Sequence, residues 1–182
     1  MRTEWDLERK SVLDALMGRV VTDAWVHEMA LYGEADEAHF TDPNLDFVQA
    51  SVLELRTSDH QTLQISCWQT DDTFALWPRF VASHHQLIPN PGTGIFRIRP
   101  MPEFPLGPVS NVQIGADNKL GIQEVCLTIN QQRVFLRAGK VYEYPEGMLR
   151  VNDRDESVLV FLNGEAYSRL MFNELIFKRF YP

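Results

Sequence analysis

The sequence predicts a mainly β protein, or an α+β one: two tandem antiparallel β-meander repeats packed as a sandwich or barrel, behind an N-terminal helix. Three observations point there. Short apolar alternations recur with turn signals about every eight to twelve residues and no helical segments between them, the pattern of antiparallel strands. Asp71-Asp72-Thr73-Phe74-Ala75-Leu76-Trp77 and Asp155-Glu156-Ser157-Val158-Leu159-Val160-Phe161 match as acid, acid, hydroxyl, three apolar residues and an aromatic. Each follows similar alternations, Val52-x-x-Leu55 with Leu63-x-Ile65 and Val125-x-Leu127-x-Ile129 with Val134-x-Leu136, and each half opens on Gly-x-Val, at Gly18 and Gly107.

The elements follow in order. Residues 3–17 read as an amphipathic helix, with Trp5, Val12, Leu13, Leu16 and Met17 on one side and Gly18 as a natural stop. The first repeat spans 18–88. From Val20 to Tyr32 it reads as one long or broken strand, then as an acidic loop over 33–46. A hairpin follows, Phe47–Arg56 with Gln61–Gln69 about Ser58-Asp59-His60. Asp71–Trp77 is the next strand, and Pro78 ends it. Residues 89–106 form a Pro-rich connector in which only Ile95–Arg99 suits a strand; six of the ten prolines lie between Pro89 and Pro108. Gly92-Thr93-Gly94 reads as a turn there.

The second repeat spans 107–172. Val109–Ile114 and Gly121–Ile129 pair about Ala116–Lys119, and Asn130-Gln131-Gln132 turns into Arg133–Leu136. Val141–Tyr144, Met148–Val151 and Ser157–Leu162 are separate short strands. Asn163-Gly164 is a strong hairpin signal, and Asn163 also suits a helix N-cap. The expectation taken is a strand at Ala166–Phe172. The tail 173–182 is expected to pack, its helix or strand state open, with the whole of 1–182 forming one domain.

Composition narrows function more than motifs do. A chain of this size buries about 70% of its unfolded surface, so it folds without a metal or disulfide. No run of 18 apolar residues suggests a membrane span. The charged first ten residues do not suit a secretory signal, and Cys67 and Cys126 are the only cysteines, which together point to the cytoplasm. Net charge is −8, unevenly spread: residues 1–91 hold 15 acids and 6 bases, residues 92–182 hold 10 acids and 11 bases. Between Arg19 and Arg56 stand Asp23, Glu28, Glu34, Asp36, Glu37, Asp42, Asp46 and Glu54 without one Lys or Arg. Phosphate contacts need the opposite sign, which argues against nucleic acid as a ligand.

The sequence offers no metal, phosphate or nucleophile motif, and so no catalytic residue and no cofactor. Cys67 and Cys126 sit in apolar strand patterns, where cysteine is usually an inert small hydrophobe. The acid pairs 71–72 and 155–156 suit turns that use carboxylates to hold local backbone N–H groups. Trp68, Trp77, Phe74 and Phe80, with Arg79, suit a β core better than a stacking platform, because the surrounding charge is acidic.

Three readings result. The first is a non-catalytic interaction protein that presents Glu34, Asp36, Glu37, Asp42 and Asp46 to a basic protein partner; in type, though by no motif, it is similar to small acidic bacterial inhibitors such as immunity proteins. The second is a small-molecule-binding β-barrel, with or without catalysis, whose pocket is lined by His27, His84, His85, Arg97 and Arg99. The third gives the apolar tail (Leu175, Ile176, Phe177, Phe180 and Tyr181) a homodimer contact, unless those residues close the core.

Overall fold

The computed structural model describes residues 2–34, 36–70, 73–82, 90–115, 121–145, 148–172 and 176–178. It is mainly β, as expected. Helix α1 (Arg2–Asp14) precedes strands β1 (Val20–Met29), β2 (Val48–Thr57), β3 (Gln61–Thr70), β4 (Thr73–Ala82), β5 (Asn90–Thr93), β6 (Phe96–Pro100), β7 (Gly107–Ile114), β8 (Glu124–Ile129), β9 (Gln132–Tyr144) and β10 (Met148–Phe161). Helix α2 (Gly164–Phe172) and strand β11 (Ile176–Lys178) complete the described chain.

All pairings are antiparallel and belong to one sheet, in the order β4-β3-β2-β10-β9-β8-β7-β1-β6-β5 with a further β1–β2 pairing. The sheet thus returns on itself through β1, β2, β10, β9, β8 and β7. Two strands change partner along their length to allow this. β2 pairs β10 at Val48–Ala50 and β3 at Val52–Arg56. β1 pairs β7 at Val20–Val21 and β6 at Trp25–Met29. Leu53, Leu55, Leu63, Ile65, Leu127, Leu136 and Val160 fill the enclosed core, each 0% exposed; α1 adds Leu13 and the turn after it adds Leu16, also 0% exposed. The helix ends at Asp14, and Gly18 closes the turn that follows with a φ of 76°, a backbone that glycine adopts without steric cost.

The Pro-rich connector is part of the sheet. β6 pairs β1, while Met101 and Phe104 enter the core at 2% exposure each. Gly92-Thr93-Gly94 is not simply a turn: β5 runs to Thr93, and Gly94-Ile95 makes the reversal into β6.

The short strands expected across 133–162 are two long ones. β9 and β10 pair from Phe135–Phe161 to Tyr144–Met148. An irregularity between Asp153 and Val158 absorbs the polar residues that read as a break, with Arg154 at a φ of 56°. Such bulges keep a strand continuous while disturbing its alternation. Asp155 and Glu156 therefore lie within β10 rather than ahead of a strand. In the matching heptad Thr73–Trp77 opens β4, and Asp71 and Asp72 lie outside the described residues. The β8–β9 turn is as expected, with Asn130 and Gln131 both at positive φ (46° and 67°), the pattern of a tight two-residue hairpin.

The strand expected at Ala166–Phe172 is a helix. Asn163 Oδ1 accepts the Ala166 N–H at 2.7 Å, capping α2, with Glu165 in the first turn and Arg169 in the last, both favourable to the helix dipole. Tyr167 stacks on Phe135 at 4.3 Å and meets Phe161 edge-on at 5.4 Å, so the helix docks on the outer side of β9 and β10. In the tail, the backbone of 176–178 pairs with β10; Leu175, Phe180 and Tyr181 lie outside the described residues.

Candidate functional site

Eight acids without a neighbouring base in sequence divide into two groups once the chain folds. Glu28 is 0% exposed, and its Oε2 accepts the Nε–H groups of both Arg97 and Arg99, each at 2.7 Å. Glu54, 6% exposed, lies 3.5 Å from His27 Nε2 and accepts from Gln64 Nε2 at 2.8 Å. Asp23 lies 3.6 Å from Arg56 and accepts from Trp25 Nε1 at 2.7 Å. Asp42, 7% exposed, accepts from the Tyr32 hydroxyl at 3.2 Å and from the Asn44 N–H at 2.8 Å. Asp46 is exposed but shared with α2, at 3.1 Å from Arg169 Nη2.

Glu34, Asp36 and Glu37 remain. All three are exposed and have no ion pair among the described residues. They sit on a pinned loop. Leu31 N–H donates to His39 O at 2.7 Å and His39 N–H donates to Tyr32 O at 3.0 Å, which brings the two ends of the loop together. Tyr32 and His39 stack at 4.8 Å, and Glu37 N–H donates to Glu34 O at 3.1 Å. Gly33 is required there: its φ is 93°, and a Cβ would lie 2.3 Å from the Glu37 carbonyl oxygen. Three carboxylates within four residues on a fixed loop concentrate negative potential at one place.

The second set of sequence-derived residues separates. Arg97 and Arg99 lie on the face that carries Val26 and Glu28, toward the core. Arg97 also lies 4.1 Å over the Phe40 ring, and Arg99 reaches Glu103 at 2.8 Å. His27 is on the opposite face beside Glu54, because consecutive strand residues alternate. His84 and His85 lie outside the described residues. The two arginines thus serve a buried carboxylate, and His27 does not join them.

The outer face of the sheet carries two rows of side chains. One runs Ile98, His27, Val52, Ser66, Trp77; the next runs Pro100, Trp25, Glu54, Gln64, Arg79. Trp68 stands on the same face and is 56% exposed, so it is not the core residue expected. Its ring centroid is 5.8 Å from that of Trp77, which meets Trp5 edge-on at 6.0 Å and carries the Arg9 guanidinium at 4.4 Å. The signal for this was in the sequence: Leu63, Ile65 and Cys67 point inward, so Trp68 must point out.

Elsewhere, an open groove of about 760 Å³ beside α2 is lined by Arg133, Phe135, Gly164, Glu165, Tyr167 and Ser168. Its polar flank is internally paired. The Tyr167 hydroxyl donates to Glu124, Arg137 forks onto Asp153 at 2.7 and 2.8 Å, and burial followed by the Glu124 contact pushes the Tyr167 phenol up. Burial also pushes the Cys67 thiol up, with Asp155 and Glu156 adding to it, so the sulfur stays protonated and donates to Ser157 O at 3.1 Å. Among the described residues, no three His, Cys, Asp or Glu side chains gather as a metal site, and no helix is long and apolar enough to cross a membrane.

His27 holds the Glu54 carboxyl below its ordinary value, against burial, and Gln64 adds to the effect. A lowered folded pKa contributes stability above the unfolded value and loses it as pH falls through the folded one. Wild type is therefore expected to outlast Glu54→Gln near neutrality and to lose that advantage below about pH 4. Thermal melts of both across that range check this; parallel profiles would contradict it.

Comparison with family models, with characterised proteins and with solved structures finds no match to this chain.

Proposed function

We propose that the protein is a non-catalytic binding protein that offers the loop bearing Glu34, Asp36 and Glu37 to a basic protein partner. The supporting observation is the division of the acids. Those of the base-free stretch that have internal partners are engaged in holding the fold, whereas these three are exposed, unpaired among the described residues and fixed by the backbone. Pre-organised like charges speed encounter with an opposite charge and discourage wrong partners. Asp42 is left out because it turns inward, and Asp46 is a secondary contact because Arg169 already holds it. The acid-led heptads of the two halves are read as scaffold: Asp155 and Glu156 of β10 are engaged with Tyr142 and Lys140 of β9.

The test is affinity capture from the source cell at low salt, with wild type and the triple variant Glu34→Gln/Asp36→Asn/Glu37→Gln side by side. The expected result is a basic protein that wild type retains, that salt elutes, and that the triple variant fails to retain. Recovery of no partner, or equal recovery by both, sinks the reading.

A further inference from the structure

We propose that the groove beside α2 binds a small zwitterion, a free α-amino acid with an aliphatic side chain. The acidic loop does not line this groove, so the two sites stand independently. The groove holds about 760 Å³, a size typical of small-molecule sites. Its lining supplies a cation, an anion and an apolar floor.

The cation is Arg133, exposed on β9. Its Nε–H donates to the Cys126 sulfur at 3.4 Å, and its guanidinium lies 4.7 Å over the Phe135 ring. Those contacts lay the side chain along the sheet and leave its Nη groups without a carboxylate among the described residues. Arg137, four residues on along the same face, is by contrast forked on Asp153 and reaches Glu124 at 3.1 Å. The anion is Glu165, exposed in the first turn of α2. It lines the same groove as Arg133, yet the two form no ion pair with each other. Opposite charges set apart in one groove complement a ligand that carries both. A simple carboxylate would meet Glu165 as a like charge, and a simple amine would meet Arg133.

The floor is Phe135 and Tyr167, whose rings stack at 4.3 Å with planes 6° apart. Tyr167 and Arg133 both lie over the Phe135 ring and cannot share one face, so both faces are taken. Ring edge is what remains for a ligand. An aliphatic chain packs against it, whereas a nucleobase loses the stacking by which it binds. The ligand carboxylate thus takes the planar Arg133 fork, its ammonium takes Glu165, and its side chain covers the ring edges.

The test is an amide NMR titration of wild type, Arg133→Gln and Glu165→Gln. The probes are leucine, isocaproate (leucine without its ammonium) and isoamylamine (leucine without its carboxylate). Both side chains are exposed, so the variants should melt with wild type. Leucine is expected to bind in the millimolar range, to shift the Gly164, Glu165 and Ser168 amides, and to bind each variant about 5-fold more weakly. Neither analogue should match leucine on wild type, and isocaproate should bind Glu165→Gln more tightly than wild type. Isocaproate binding wild type as tightly as leucine overturns the zwitterion. No leucine shifts at those amides, or equal binding by all three proteins, overturns the site.

Discussion

Glu28→Ala is expected to destabilise the protein by about 3–5 kcal/mol, the largest effect of any single charge in the fold. Glu28 has a side chain 1% exposed, and those of Arg97 and Arg99 are 29% and 26% exposed. Removing the carboxylate takes from both guanidinium groups the partner they share, and among the described residues Glu103 is the other carboxylate paired with them, through Arg99. The cost is mainly that uncompensated charge rather than the worth of the original bonds, since a buried pair roughly breaks even against apolar groups of the same size. The triple replacement Glu28→Met/Arg97→Met/Arg99→Leu should therefore recover most of the loss. Urea unfolding of the two variants checks both statements. A Glu28→Ala midpoint close to wild type would show that the arginines have other partners.

Phe161→Ala should cost a similar amount, about 3–5 kcal/mol. Phe161 is 0% exposed, and with Phe135, Leu159, Cys126 and Ala166 it builds a second apolar layer between the sheet and α2. Its ring lies 5.0 Å from that of Phe47 and meets Tyr167 edge-on. Truncation opens a cavity and removes the surface on which α2 docks. Unfolding in urea should show the loss, with a fall in helical circular dichroism at low denaturant. A cost under about 1 kcal/mol would mean that α2 is held by its cap and by Arg169–Asp46 instead.

That helix marks where local sequence stopped being informative. α1 was legible from its apolar side, Trp5, Val12 and Leu13, and from Gly18 in the turn that follows it. The β2–β3 hairpin was legible because three polar residues separate two clean alternations. α2 was missed because the polar residues of 165–181 recur in pairs about five apart, which leaves no clean helical face in the sequence. Its clearest sign was Asn163, which suits a hairpin as well as a cap. The continuity of β9 and β10 was hidden for a different reason: a bulge at Arg154 breaks the period without ending the strand.

The site was partly legible on the same terms. That acids cluster between Arg19 and Arg56 is plain in the sequence. Which of them are free is not, because their partners are remote: Glu28 and Arg97 lie 69 residues apart. Arg97-x-Arg99 read as pocket lining, whereas folding turns both inward onto Glu28. Exposure of Trp68, by contrast, followed from strand alternation and was overridden by the general habit of aromatics to be buried.

The most direct measurement of the central claim is the association rate between this protein and the captured basic partner as ionic strength rises. The acidic-loop account predicts a steep fall with salt for wild type, and a rate about 10- to 100-fold lower with a much flatter slope for the loop-neutralised variant at low salt. Equal rates and equal slopes for the two proteins would contradict it.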